Sequence, residues 1–172
     1  MIGGFATEER ILSFNVNDHT FLELPIQLNK ARYGHKCAYI PNTDKIMITG
    51  GRGKDEKVIN SCEILDTTDW SITRASPMNS RRCFHGMGVI TINGKDRLAA
   101  LGGHDREKKM LDNVEVYNTK TQKWETTDLK LNEPKEKFGF LTVKLGDVIS
   151  LVSVKEQLDS KFFSKISNVI NQ

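Results

Sequence analysis

The sequence predicts an all-β protein in which a four-stranded sheet is repeated along the chain. Two glycine pairs, Gly50-Gly51 and Gly102-Gly103, each end an apolar run and lie 52 residues apart. The same distance separates Glu63 from Glu115. A period of roughly 50 residues is typical of one four-stranded blade of a β-propeller. The chain has room for about three blades, whereas propellers usually carry about four to eight, so we expect an incomplete or open propeller.

The first full blade is predicted over residues 30–78. A strand that ends at Ile40 and a strand at 45–49 form a hairpin, because Pro-Asn-Thr-Asp between them has turn chemistry. A polar loop then leads to a third strand near 61–65. A second turn follows, and Trp70 opens the fourth strand.

The second full blade, residues 80–131, repeats this plan. Its hairpin turn is Asn93-Gly94, a strong two-residue turn signal between apolar runs. The segment 114–117 alternates as a half-buried strand does, and Trp124 begins the outermost strand.

The two ends predict incomplete copies. Residues 1–28 match the end of a blade, and residues 135–153 match only the first hairpin of one. Residues 154–172 have apolar side chains near helical spacing, which indicates a short C-terminal amphipathic helix or tail that covers a sheet edge. Open blade edges invite pairing, so self-association is expected.

Composition limits the classes of function. The hydrophobic fraction is 38%, the charged fraction is 27% and the net charge is +3, with both signs mixed along the chain. This balance opposes nucleic-acid binding, and no apolar run has the roughly 20 residues that a membrane helix needs. The odd set of three cysteines and the lack of an export-type leader predict a cytoplasmic protein with reduced thiols.

The order of the repeated residues resembles the kelch repeat. Each full copy reads Arg-x-x-His, apolar hairpin, Gly-Gly, polar loop, Glu, short turn and Trp. A WD-type repeat would instead place Trp-Asp at the end of a strand, and that dipeptide does not occur. The resemblance implies a scaffold role for Gly50, Gly51, Glu63, Trp70, Gly102, Gly103, Glu115, Tyr117 and Trp124.

Each scaffold residue type has a physical reason. Glycine allows a turn where a side chain would clash with a neighbouring sheet. The large apolar side chains, Leu65 among them, are expected to pack between blades. The two glutamates are expected to pair with repeated basic groups or backbone amides.

The sequence predicts no metal, no cofactor and no catalytic residues. His35 with Cys37, and Cys83 with His85, have spacings seen in zinc ligands. The cysteines fall at different places in the two copies, however, so the four groups need not converge. Neither a phosphate-binding loop nor a nucleophile elbow is present.

The function expected from the resemblance is non-catalytic protein binding, like that of the kelch regions that recognise substrates for cullin-type ubiquitin ligases. Such regions often capture acidic peptides with arginines at the entrance of the innermost strand, and guanidinium groups suit carboxylates. The residues predicted to contact a protein partner are Arg32, Arg52, Arg81, Arg82, His104 and Arg106. Glu136 is aligned with the two entrance arginines, so no third equivalent contact is expected. Actin binding and a carbohydrate oxidase or isomerase on the same scaffold are the alternatives.

Overall fold

The computed structural model describes residue 2 and residues 9–137, 139–145 and 148–154, and every regular element among them is a β-strand. The predicted C-terminal helix falls almost wholly outside the described residues. Twelve strands are present in this part of the chain. They are β1 (Arg10–Asn15), β2 (Thr20–Gln27), β3 (Lys36–Tyr39), β4 (Lys45–Thr49), β5 (Cys62–Asp66), β6 (Ser71–Ala75), β7 (Gly86–Ile92), β8 (Lys95–Leu101), β9 (Asn113–Asn118), β10 (Lys123–Lys130), β11 (Gly139–Leu145) and β12 (Val148–Val154).

The strands form antiparallel sheets in the order of the sequence. Two sheets have four strands, β3-β4-β5-β6 and β7-β8-β9-β10, and two sheets have two strands, β1-β2 and β11-β12. An isolated bridge from Ile2 to Ile11 adds one residue beside β1. The predicted all-β class and the four-strand plan of the two full units are therefore confirmed.

Neighbouring sheets lie side by side through their first strands. β3 contacts β7, and β7 contacts β11. Between the two four-stranded sheets lies a buried cluster that includes Met47, Leu98, Tyr117 and Trp124. A second cluster, with Ile11 and Leu65, joins β1-β2 to the sheet that follows. The sheets pack face to face, as the blades of a propeller do.

The glycine pairs lie where one unit touches the next. The Gly51 amide donates to the Arg82 carbonyl at 2.9 Å. A Cβ on Gly50 would come within 2.3 Å of that same carbonyl oxygen, and both glycines have positive φ. The predicted reason for the glycines, a turn where a side chain would clash, is confirmed.

Trp70 does not pack between blades, which corrects the expectation from the sequence. It lies in the β5-β6 turn with φ 57° and is 43% exposed. Gln122, 52 residues later, has the same left-handed backbone. The position of Trp124 is taken by Ile72, which pairs with Leu65 as Trp124 pairs with Tyr117. The prediction for Leu65, Tyr117 and Trp124 is confirmed by their burial.

Candidate interaction site

One face of the sheets is built from the long connections. Because each full sheet is antiparallel and ordered as in the sequence, the β4-β5 and β8-β9 loops emerge on the side where β3 and β7 begin. The connections before β3 and before β7 lie on this same side. We call it the loop face, and all six predicted partner-binding residues belong to its segments.

Arg32 and Arg82 lie beneath the loop face, not on it. Both residues are 0% exposed. Arg82 donates to the Gly102 carbonyl at 2.8 Å and to Glu115 Oε1 at 2.7 Å. Arg32 donates to the Gly50 carbonyl at 3.1 Å and to Glu63 Oε1 at 2.5 Å. Burial lowers the pKa of both guanidinium groups, and the facing carboxylates act in the opposite direction.

The glutamates of these pairs also hold the chain that leads into the first strand of their own sheet. Glu115 accepts the amides of Asn79 at 2.6 Å and Ser80 at 2.9 Å. Glu63 accepts the Asn29 amide at 2.7 Å. The prediction that these glutamates pair with repeated basic groups or amides is confirmed.

The burial of Arg32 and Arg82 corrects their predicted contact with a partner. A buried guanidinium whose donors already serve a carboxylate and a glycine carbonyl offers nothing to an outside peptide. Their recurrence in the sequence reflects the construction of each unit. The same spacing that suggested a repeated binding contact comes from a repeated structural one.

Arg52 and His104 are brought together at the centre of the loop face. They hold equivalent places, each directly after a glycine pair, and Arg52 Nη2 lies 2.9 Å from His104 Nε2. A guanidinium group only donates hydrogen bonds, so His104 Nε2 is the acceptor here. The ring proton of His104 is therefore on Nδ1, which donates a hydrogen bond to Glu136 Oε2. Arg52 also donates to the Glu56 carbonyl at 3.1 Å.

Glu136 does not occupy the arginine position. The Gly103 amide donates to the Lys135 carbonyl as the Gly51 amide donates to that of Arg82, so Lys135 stands where the arginine stands. Glu136 is then equivalent to Cys83. The alignment by sequence missed this because the last copy is offset by 53 residues from the one before it.

Cys83 completes this group but is poorly suited to act as a nucleophile. Its Sγ lies 3.0 Å from His104 Nε2, and His104 in turn bonds Glu136, an order that resembles a nucleophilic triad. The thiol is 0% exposed, and burial raises its pKa to about 11. At neutral pH it is therefore a buried thiol rather than a reactive thiolate.

A groove opens on the loop face between three connections. Its volume is about 560 Å³, and it is formed by the β2-β3 connection, the β4-β5 loop and Arg81. Two of its lysines are paired: Lys54 Nζ lies 3.5 Å from Glu9, and Lys57 Nζ lies 2.9 Å from Asp55. Its remaining charged residues are Lys30 and Arg81, both exposed.

The groove has an uncompensated positive charge. Within the described parts of the chain, neither Lys30 nor Arg81 has an acidic partner within 4 Å. Of the predicted contact residues, Arg81 lines the groove, whereas Arg106 is exposed on the β8-β9 loop outside it. Lys30 was missed because it has no counterpart in the second unit, where position 80 is Ser.

No set of three or more His, Cys, Asp or Glu in the described segments is arranged to hold a metal ion. Nor does any helix there reach the length and apolar character that crossing a bilayer requires.

One protein-family model matches a part of the chain that includes both full sheets and their Arg–Glu ion pairs. The family model for the KLHDC2/KLHL20/DRC7 Kelch-repeats domain matches residues 1–166. A search of curated proteins found no match. The family match covers nearly the whole chain, including the glycine pairs, the buried arginines and their glutamates. The chain belongs to the kelch-repeat family.

Proposed function

We propose that this chain is a protein-interaction module that binds an acidic peptide segment in the groove on its loop face. The kelch-repeat family supports the general function. The proposal that the bound segment is acidic depends on one observation. Lys30 and Arg81 are two exposed cations without an acidic partner among the described residues, and they line a groove of about 560 Å³.

The chemistry of the groove favours an extended acidic segment over a small anion. The unpaired cations come from separate connections, one before β3 and one before β7, so they present two charges along a surface. Arg81 supplies a fork that matches a carboxylate in two places, while Lys30 acts as a point charge. Leu28 and Ile59 in the lining provide apolar contact for a peptide side chain.

Selection from a library of random displayed peptides tests this proposal. The wild-type chain should enrich peptides rich in Asp and Glu, and a Lys30→Glu/Arg81→Glu variant should lose that enrichment. Binding of a selected peptide should fall at least about tenfold, since each lost charge-assisted contact is worth roughly 1.5 kcal/mol or more. Raised salt should weaken it as well.

Lys120→Glu/Lys123→Glu is the matched control, because it makes the same charge change at two exposed residues at the β9-β10 turn, at the opposite end of the strands. It should leave peptide affinity unchanged. Enrichment of uncharged apolar peptides, or equal loss in the control, would contradict the acidic segment.

A finer proposal is that this binding serves a cullin-type ubiquitin ligase in the cytoplasm. The resemblance to adaptor kelch regions supports the ligase role, and the three free cysteines suit a reducing compartment. Pulldown of the full gene product should recover a cullin. If no cullin is recovered while peptide binding persists, the adaptor role fails and the binding module stands.

A further inference from the structure

Two exposed aromatic residues in the first sheet occupy positions that are buried elsewhere in the chain. Phe14 on β1 pairs with Phe21 on β2, and their ring centroids are 4.9 Å apart. Tyr117 and Trp124 form the same cross-strand pair in β9 and β10, at 5.4 Å. Tyr117 and Trp124 are 4% and 5% exposed, yet Phe14 and Phe21 are 47% and 65% exposed. Among the described residues, no neighbouring sheet covers the phenylalanine pair as one covers its counterpart.

The structure shows what kind of surface covers such a pair. Tyr117 and Trp124 pack against the preceding sheet, through Met47, Cys62 and Ile64. The same positions 52 residues later are Ala99, Val114 and Val116. These three form a cluster on the face of β7-β10 that points away from β3-β6.

This second face carries a recess. A groove of about 300 Å³ is lined in part by Ile92, Arg97, Val116 and Thr127. It lies beside the outer strands β9 and β10, where a following four-stranded sheet would place its own outer strands. The chain continues there with β11-β12, whose first strand contacts β7.

The two short sheets are complementary halves of one blade. β1 and β2 correspond to the third and fourth strands of a full sheet, since Phe14 and Phe21 match Tyr117 and Trp124. β11 and β12 correspond to the first and second strands of a full sheet. Leu145 and Val148 are paired across the β11-β12 turn in the same way as Ile92 and Lys95 are paired across the β7-β8 turn. β12 of one half and β1 of the other would be neighbours in a complete sheet, as β8 and β9 are.

A third observation concerns β3, which lies next to the place where an inner hairpin would stand. Tyr39 pairs with Ile46, and Ile46 packs in the cluster shared with the first sheet. Even so, Tyr39 is 59% exposed. A hairpin placed inside β1 would cover this side chain as well as completing the sheet.

We infer that two copies of this chain associate head to tail, with β11-β12 of each completing the β1-β2 sheet of the other. Each copy has twelve described strands, so a pair supplies twenty-four, which is six sheets of four. Six blades lie within the usual range for a closed propeller, and pairing β12 of each copy with β1 of the other covers the inner edges that the two short sheets leave open. The contact occurs twice, related by a two-fold axis.

The test measures mass across a dilution series by light scattering and sedimentation. The wild-type chain should show twice the mass of the 19.5 kDa chain and dissociate only on dilution. Phe14→Glu/Phe21→Glu should remain folded by circular dichroism, because both side chains are exposed, and should be monomeric where the wild type is dimeric. Met110→Glu is the control: Met110 is 51% exposed but lies in the β8-β9 loop. A wild type that is monomeric throughout overturns the inference.

Hydrogen exchange on the wild-type chain separates this arrangement from a simple contact between two phenylalanine patches. Head-to-tail pairing should protect amides in β1 and in β12 together as the concentration rises. Protection of β1 and β2 without β12 would overturn the inference even if the chain is dimeric. Neither readout involves peptide binding, so failure here is distinct from failure of the proposed function.

Discussion

At the scale of single residues, the buried Arg–Glu pairs are the feature with the greatest energetic consequence. Both members of the Arg82–Glu115 pair are 0% exposed. Removing two charges from water is costly, and it is offset here by a 2.7 Å ion pair and by amide and carbonyl bonds on both sides. Loss of one partner therefore leaves the other charged and buried.

Glu115→Gln should destabilise the protein by about 3 to 5 kcal/mol, because Arg82 keeps a buried charge without a carboxylate. Arg82→Met should have a cost of similar size. The double variant Arg82→Met/Glu115→Gln should lose clearly less than the sum of the two single variants, with a coupling of about 2 kcal/mol. Urea unfolding measures all four corners of the cycle. As a control, Lys45→Ala breaks an exposed pair and should cost no more than about 1 kcal/mol.

Two histidines predict a dependence of stability on pH. Burial lowers the pKa of His35 to about 4 and holds that of His85 well below its ordinary value. The unfolded chain therefore binds more protons than the folded one below about pH 6.5. Stability should be full above that pH and should fall as the solution is acidified, by about 1 to 2 kcal/mol for His35 between pH 7 and pH 5.

Urea unfolding at a series of pH values tests this sign. A His35→Asn/His85→Asn variant should show a flatter dependence than the wild type between pH 7 and pH 5, whatever its absolute stability. A wild-type chain that becomes more stable on acidification would contradict the assignment.

At the scale of strands and turns, the sequence predicted the elements well where local chemistry decides them. Asn93-Gly94 forms the predicted two-residue turn, with φ 51° and 70°. The failures have a common cause, which is register between copies. Trp70 aligns with Trp124 only when residue identity is given more weight than spacing, and Glu136 aligns with Arg82 only when the last copy is offset by one residue too many. Only the strand pairing shows that Ile72 and Lys135 hold those positions.

The candidate site was less predictable than the fold. The sequence places Arg52 and His104 on loops of one face, but their hydrogen bond to each other depends on how two sheets approach. Burial of Arg32 and Arg82 could not be inferred from their charge, since charged residues are usually exposed. A recurring arginine with a recurring glutamate about 30 residues later was the available signal.

Gly50→Ala should destabilise the protein by more than about 2 kcal/mol. The new Cβ would lie 2.3 Å from the Arg82 carbonyl oxygen, at a φ of 59° that side chains disfavour. Gly94→Ala is the matched control, because φ is 70° there but nothing lies within 4 Å. It should cost only about 1 kcal/mol. If thermal unfolding shows the same loss of stability for both variants, the close contact between units is not the reason for glycine at position 50.

At the scale of the whole molecule, stability comes from faces shared between consecutive sheets. The sheet β3-β6 buries one face against β1-β2 and the other against β7-β10. The two full sheets are therefore expected to unfold together rather than in turn.

A single-tryptophan variant tests this cooperativity. In Trp70→Phe, Trp124 is the sole tryptophan, and it lies on β10 at the contact with the preceding sheet. Adding Leu65→Ala, on the opposite face of the preceding sheet, should shift the Trp124 transition by the full cost of the cavity, about 2 to 5 kcal/mol. Val16→Ala, at a residue 72% exposed, should leave it in place. An unchanged Trp124 transition with Leu65→Ala would show that the sheets unfold independently.

The location of both partners of each Arg–Glu pair has a consequence for how such proteins change over evolutionary time. Arg32 and Glu63 belong to one repeat, and Arg82 and Glu115 to the next. In each of these copies, the buried positive charge is therefore balanced by a buried negative charge of the same copy. Duplication or deletion of the gene segment for one copy thus adds or removes a buried cation and a buried anion together. The number of blades can therefore change without leaving an unpaired charge inside the protein.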